Sequence, residues 1–520
     1  MRKHFLLLTV PALVFYAGVF IDNATALAND THDLVIYHTN DVQGHAFEER
    51  DQDGKLIRIG YDRLKALVDG DATPNKLLLD AGDVLLGHSY STARRGELVA
   101  EILSLVGYDA IAAGDQDFSY GSNRLHELSS KYRLPFLSAN IVHQNSRKLL
   151  PAMTVRSFGD LKVGIFGLTT PETKISTNFI NVAWLEVIDP VIEAKAVVER
   201  LQSEGVDVIV GVMHMGSMPY CNPMAQTVAE QVPGIDIVID GHSHSTTVIT
   251  VERSDGSRAI VTSAGSDFEN VGKVTVDRDD KGKFSISATV LEASSPEVSG
   301  TDPDPAMRAA MNVLKSDLET EMNKVVMTVP FDMDGAIENV RQTSTNLGRL
   351  ICAAIAHVAG SDIAFLNGGA IRESILQGPV TKGKILTSLP YVDFVYLTRV
   401  TGEELTAAVA HGLGLSGSGG FPQFWGMEVE TETRETTAPD GTKGEMRVPK
   451  SVTVGGKPLD PKATYSVAIN NFLYFGGDGY TMFGKQPYKD FGLVNDVFTK
   501  YLAEHDSETL RSVAETVVLR

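Results

Sequence analysis

The strongest constraint on the fold is a pattern that recurs from Asp33 onward: a short β-branched or aliphatic run that ends in a polar loop. It reads "LVIYHTNDVQGH", "KLLLDAGD", "DAIAAGDQD", "LPFLSAN", "VGIFGLTT", "DVIVGVMHMG", "DIVIDGHSH" and "AIVTSAG". Continuous apolar runs of this length mark strands buried on both faces, as in parallel sheets. Helical segments such as "GYDRLKALVDG" and "ELVAEILSLVGY" lie between several of them. Strands alternating with helices predict an α/β layered domain over residues 29–300.

A chain of 520 residues exceeds what one core can serve, so a second domain is expected. The stretch "SSPEVSGTDPDP" reads as a linker, and a joining helix follows with Asp304 as N-cap and Pro305 at its first position. Met307, Met311, Leu314, Leu318 and Met322 recur at helical spacing, so one face packs. Linker and joining helix occupy residues 301–335, and the second domain residues 336–520.

At the amino terminus, Arg2 and Lys3 precede an apolar run from Phe5 to Ile21, and Ala26-Leu27-Ala28 is a small-x-small cleavage site. This reads as an export signal over residues 1–28, making the protein periplasmic or secreted. Pro11 and the cleavage site disfavour the other reading, an uncleaved membrane anchor. Cys221 and Cys352 fall in different expected domains and in apolar surroundings, so no disulfide is expected. A net charge of −20 argues against binding a nucleic acid polymer.

Five strand ends carry residues that metals use. Asp41 and Gln43 follow the first strand, Asp83 the second and Asp115 the third; His214 follows a later one, and His242 and His244 the next. In α/β sheets the carboxyl ends of the strands converge on one crevice. Each residue alone has a structural explanation as a turn or cap, but all of them at strand ends point to a dinuclear centre. Oxygen and imidazole donors without thiolates suit Mn, Mg, Fe or Zn.

The segments "HTNDVQGH", "LLLDAGD", "AGDQDF", "VMHMG" and "DGHSH" resemble the five motif blocks of calcineurin-like metallophosphoesterases of the bacterial 5′-nucleotidase family. "NLGRL", "NGGAIR", "LPYVD" and "FGGDGY" resemble that family's C-terminal nucleotide-binding domain. The resemblance implies a four-layer α/β/β/α sandwich plus a smaller α+β domain. It implies one metal held by Asp41, Gln43, Asp83 and His244, and a second by Asp83, Asp115, His214 and His242. It also implies a pocket in which Tyr391 and Phe472 sandwich a base and Asp478 receives the ribose. Arg341 and Arg372 would reach anionic oxygens and Asn367 a base edge, with Asp393 as a further polar contact. The reaction implied is two-metal hydrolysis of a nucleotide ester.

Four departures cluster. Gln43 stands where the family has a His ligand, and Asp115 where it has Asn; together they shift the site toward harder ions such as Mn, Mg or Ca. Gln116 stands where the family has its catalytic His, and Ser119 where an acid orients that His. A glutamine cannot supply a titratable proton, although its amide can hydrogen-bond a developing anion. His45 and His88, in the metal-site loops, are stand-ins to weigh; the commoner fate of such residues is outside the reacting shell. A smaller departure is Ala370, where glycine is usual. Two readings follow: an exported hydrolase of nucleoside 5′-phosphates or related esters, slowed by Gln116, or a nucleotide-binding protein that keeps metals and pocket without turnover.

Overall fold

The first apolar run, Leu34–Thr39, is buried along its whole length and splits its side chains between two layers. Leu34 and Ile36 face a second sheet, while Val35 and Tyr37 face helices. That division repeats strand after strand and produces the architecture. The computed structural model describes residues 32–145, 147–177, 179–218, 221–437 and 443–520; the proposed export signal lies outside these residues.

Twelve strands build two six-stranded sheets: β1 (Leu34–Thr39), β2 (Lys76–Asp80), β3 (Ala110–Ala112), β4 (Phe136–Leu137), β5 (Met153–Phe158), β6 (Leu161–Thr169), β7 (Val208–His214), β8 (Ile237–Asp240), β9 (Thr246–Glu252), β10 (Arg258–Ala264), β11 (Asn270–Arg278) and β12 (Phe284–Glu292). One sheet runs β12-β11-β1-β2-β3-β4 and the other β9-β10-β8-β7-β6-β5. The eight apolar runs form β1–β4, β6–β8 and β10, and every pairing among them within a sheet is parallel. Facing residues such as Leu79, Ala112, Ile165, Val212 and Ile239 fill the space between the sheets. Helices α1 (Tyr61–Gly70) and α2 (Glu97–Val106) cover one outer face, and α3 (Pro190–Ser203) covers the other. The result is the expected four-layer sandwich.

The antiparallel strands β5, β9, β11 and β12 flank this core, and the repeating pattern gives no hint of them. The stretch read as linker is more structured than expected: Pro296–Ser299 forms a helical turn, and Val298 is fully buried in the first core. Helix α4 (Pro305–Met322) follows, capped by Asp304, whose Oδ1 accepts from Met307 N at 2.7 Å. Met307, Met311, Leu318 and Met322 are buried as the spacing predicts, and Leu314 is partly so. Through Glu321, α4 also pairs with both Arg94 and Lys382, tying the two halves together.

Beyond α4 lies a five-stranded sheet of β13 (Ile363–Asn367), β14 (Phe394–Thr401), β15 (Pro422–Trp425), β16 (Thr464–Asn470) and β17 (Lys489–Leu493), ordered β15-β13-β16-β14-β17. Only the β13–β16 pair is parallel, and helix α5 (Asn346–Ala359) packs on one face. A long hairpin, Met427–Thr437 with Lys443–Val454, extends from this part. Cys221 and Cys352 are both free and buried. Among the described residues, no helix is long and apolar enough to cross a membrane.

Candidate metal centre and nucleotide cleft

The carboxyl ends of β1, β2, β3, β7 and β8 meet at one place, and all seven candidate ligands arrive there. Five of them, Asp41, Gln43, Asp83, His242 and His244, have φ between 49° and 79°, a region non-glycine residues seldom adopt. Such strain persists only where the surroundings enforce it. Here they do: Asp41 N donates to Gly82 O at 2.9 Å, and Gln43 N to Asp83 O at 3.0 Å. Asp117 clamps the next two loops, accepting from Gly114, Asp83, Val84 and Leu85 N–H groups at 2.9–3.2 Å. Gly114 is required because a Cβ there would meet Asp83 Oδ1 at 2.2 Å.

Side-chain geometry focuses the donors. His214 Nδ1 lies 2.7 Å from Ala81 O, which fixes its tautomer and turns Nε2 into the centre. That Nε2 is 3.0 Å from Asp115, 3.4 Å from Asp83 and 4.0 Å from Asp41. His242 presents Nδ1 to Asp115 at 3.0 Å, and its Nε2 faces Glu172 Oε2 at 2.7 Å. His244 Nε2 is 3.7 Å from Asp41. Two triads, Asp41-Asp83-His214 and Asp115-His214-His242, each bring three donor atoms within 4.8 Å of one another.

Gln43 enters differently from the expectation. Its Nε2, not its carbonyl oxygen, faces the centre, 3.2 Å from Asp83 Oδ2 and 3.4 Å from His244 Nε2. An amide nitrogen has no lone pair for a cation, so ligation requires a half-turn of the amide.

The electrostatics fit a cation. Asp41, Asp83 and Asp115 are buried, and among the described residues their ion-pair partners are histidines alone. Burial, with Asp83 adding repulsion, pushes Asp41 up to about 7. Burial would also raise Asp115, but hydrogen bonds from His214 and His242 hold it well below the usual carboxylate range. Burial opposes protonation of His242, yet contact with Asp115 raises it to about 9. A buried set of carboxylates that draws protons onto its imidazoles is what divalent cations neutralise.

The centre forms one wall of a cleft of about 1160 Å³. Of the seven, Asp41 and His214 are buried behind this wall; the others line it, with Gln116 and Ser119 beside them. The opposite wall comes from the second half, and every predicted pocket residue is on it: Arg341, Asn367, Arg372, Tyr391, Asp393, Phe472 and Asp478. Tyr391 and Phe472 are 45% and 42% exposed, so neither is a core aromatic. A Cβ at Gly477 would strike the Phe472 ring at 2.6 Å, so glycine there leaves the ring its place. Arg372 bonds Tyr391 Oη and lies 5.0 Å from its ring centroid. Asn367 donates to Asp478 at 3.3 Å, and Asn470 bridges Asn367 and Asp393 at 3.1 Å each. Ala370 lines the same wall.

The family model for the 5′-nucleotidase C-terminal domain matches residues 324–485. Protein UshA of Yersinia enterocolitica is 27% identical over 91% of this chain and 92% of its own. The 5′-nucleotidase precursor of Thermus thermophilus superposes with a TM-score of 0.62 at 28% identity, covering 91% of this chain and 96% of that one. Residues 324–485 thus match a 5′-nucleotidase C-terminal domain, and over most of its length the chain is similar to 5′-nucleotidases. A putative 5′-nucleotidase of Staphylococcus aureus, solved with α-ketoglutarate, shares the fold with a TM-score of 0.71 at 18% identity, covering 94% of this chain and 100% of that one. The trifunctional nucleotide phosphoesterase YfkN of Bacillus subtilis is 28% identical over 90% of this chain, which spans 34% of that protein's length.

Against this background the departures stand out. His45 and His88 do not line the cleft; they face one another with ring centroids 4.6 Å apart. Burial pushes both below the usual histidine value, His88 to about 4, which disfavours a protonated imidazole at either position. Glu172, whose Oε2 meets His242 Nε2, escaped the sequence reading although it lies just past the end of β6, the same kind of position that marked the candidate ligands.

Proposed function

We propose that the protein is an exported, divalent-metal-dependent hydrolase that releases phosphate from nucleoside 5′-phosphates or related phosphoesters. One observation carries this: a single cleft has a carboxylate–imidazole centre on one wall and two exposed aromatics, two arginines and buried polar groups on the other. Residues 29–300 supply the first wall and residues 336–520 the second.

Asp41, Gln43, Asp83 and His244 would hold one ion, and Asp83, Asp115, His214 and His242 the other, as Mn, Mg, Zn or Fe. Such a pair, when bound, lowers the pKa of water and neutralises charge on the phosphoryl group. The chain's own residues supply the rest. Tyr391 and Phe472 stack on the base, Asn367 meets its edge, and Asp478 accepts from the ribose hydroxyls. Arg341 and Arg372 present guanidinium groups to anionic oxygens. Asp393, held by Asn470, braces the pocket. Glu172 fixes the His242 ring, and Ala81 O fixes that of His214. The proposed export signal and the net charge of −20 favour a small phosphoester outside the cytoplasm, with no nucleic acid polymer as partner and no membrane attachment after cleavage.

A second reading, nucleotide capture without turnover, draws on the loss of the acid. Among the described residues lining the cleft the only imidazoles are His242 and His244, both in the centre. Phosphate release from AMP by the chain from Asn29 onward, with Mn²⁺, separates the two. The hydrolase reading expects turnover that a chelator stops, Mn²⁺ restores and His242→Ala lacks. Tight AMP binding without phosphate release would favour the second reading.

A further inference from the structure

Gln116 replaces an acid, and its surroundings give it a definite orientation. Its N–H donates to Asp83 Oδ1 at 2.8 Å. The loop on either side is pinned: Thr177 Oγ1 donates to Asp115 O at 2.8 Å, and Asn181 Nδ2 to Ser119 O at 2.6 Å. One helical turn on, Ser119 Oγ donates to Gln116 Oε1 at 3.1 Å, and Ser119 is only 8% exposed. The two ends of an amide differ: the oxygen accepts and the nitrogen donates twice. With Oε1 committed to Ser119, the Nε2 protons are left for the cleft that Gln116 lines.

We propose that Gln116 is a catalytic hydrogen-bond donor to the leaving-group oxygen, and that Ser119 is its positioning residue. This deepens the hydrolase reading and rests on it. Gln116 follows Asp115 in the chain and lines the same cleft as the centre and the second wall; the proposal puts the ester oxygen within reach of its amide. In the reaction, water forms a new P–O bond and the ester P–O bond breaks. The bonding pair leaves on the nucleoside oxygen. One proton of the attacking water stays on phosphate, and the other reaches the nucleoside oxygen through solvent. Gln116 stabilises the charge on that oxygen and transfers no proton. A fixed dipole aimed at developing charge needs no titratable group. Ser119 sets its direction as an acid would set that of a histidine.

The test compares AMP, whose alkoxide leaves poorly, with p-nitrophenyl phosphate, whose phenolate needs no help. Gln116→Ala is expected to lower kcat on AMP by roughly 10²-fold with little change in KM, and to slow the phenyl ester by less than about threefold. Ser119→Ala is expected to lose roughly tenfold on AMP alone, and Ser119→Thr, which keeps the hydroxyl, to recover it. Metal content measured by mass spectrometry stays that of the wild type in all three. Equal slowing of both esters, or full AMP activity in Ser119→Ala, would overturn the proposal while leaving the hydrolase reading intact. Hydrolysis of neither ester by the metal-loaded wild type would overturn the hydrolase reading itself.

Discussion

His242 joins two carboxylates that do different work: Asp115 meets Nδ1 inside the centre and Glu172 meets Nε2 from outside it. A carboxylate behind an imidazole ligand fixes the ring and raises its basicity. Glu172→Ala is therefore expected to raise the Mn²⁺ concentration for half-maximal activity by about 10–100-fold while leaving maximal turnover near wild type. An unchanged Mn²⁺ titration would remove Glu172 from the centre's support. The candidate ligands were legible in the sequence because each sits within a few residues of an apolar run's end. The direction of Gln43's amide was not, because it depends on Asp83 and His244, which arrive from other strands. Nor was the coupling of Ser119 to Gln116, a contact that exists only once Gln116–Phe118 winds into a helical turn.

At the scale of elements, parallel strands and their covering helices announce themselves because both faces are buried and the run is continuous. The edge strand β12 alternates between half-buried and exposed residues, so its sequence "FSISATVLE" carries no comparable signal. Helix α4 was legible in cap and face alike. Leu318 is fully buried on that face, so Leu318→Ala is expected to cost about 2–5 kcal/mol in chemical denaturation; a loss below about 1 kcal/mol would mean that the face is not a core contact. Asp71, at the end of α1, ties that helix to the sheet, accepting from Tyr37 Oη at 2.9 Å and lying 3.0 Å from Lys273 Nζ. Burial alone would raise its carboxyl, but bonds from Thr73, Lys273 and Tyr37 outweigh burial and hold it at about 2. A carboxyl depressed in the fold contributes stability that is complete above its unfolded value, near 4, and lost as pH falls through about 2. The Tm gap between wild type and Asp71→Asn is expected to close between about pH 5 and about pH 2. A constant gap over that range would show that the ionised carboxylate contributes nothing.

At the scale of the whole molecule, the proposed function rests on the meeting of two walls. Sequence reading found the residues of each wall separately; that all seven pocket residues face the centre across one cleft follows from the packing of the halves, to which α4 contributes. If the second wall binds the nucleoside, Tyr391→Ala and Phe472→Ala each raise KM for AMP by roughly tenfold or more, at about 1–3 kcal/mol per stacked face. Neither change should affect p-nitrophenyl phosphate to the same degree. Equal effects on both esters would mean that the aromatics shape the fold and not base recognition. The most direct measurement is steady-state phosphate release from AMP by the Mn²⁺-loaded wild type beside Gln116→His. The account predicts measurable turnover in the wild type and a gain of about tenfold or more in Gln116→His, where a titratable group returns to a competent centre. A wild type that binds Mn²⁺ and AMP yet releases no phosphate would contradict it.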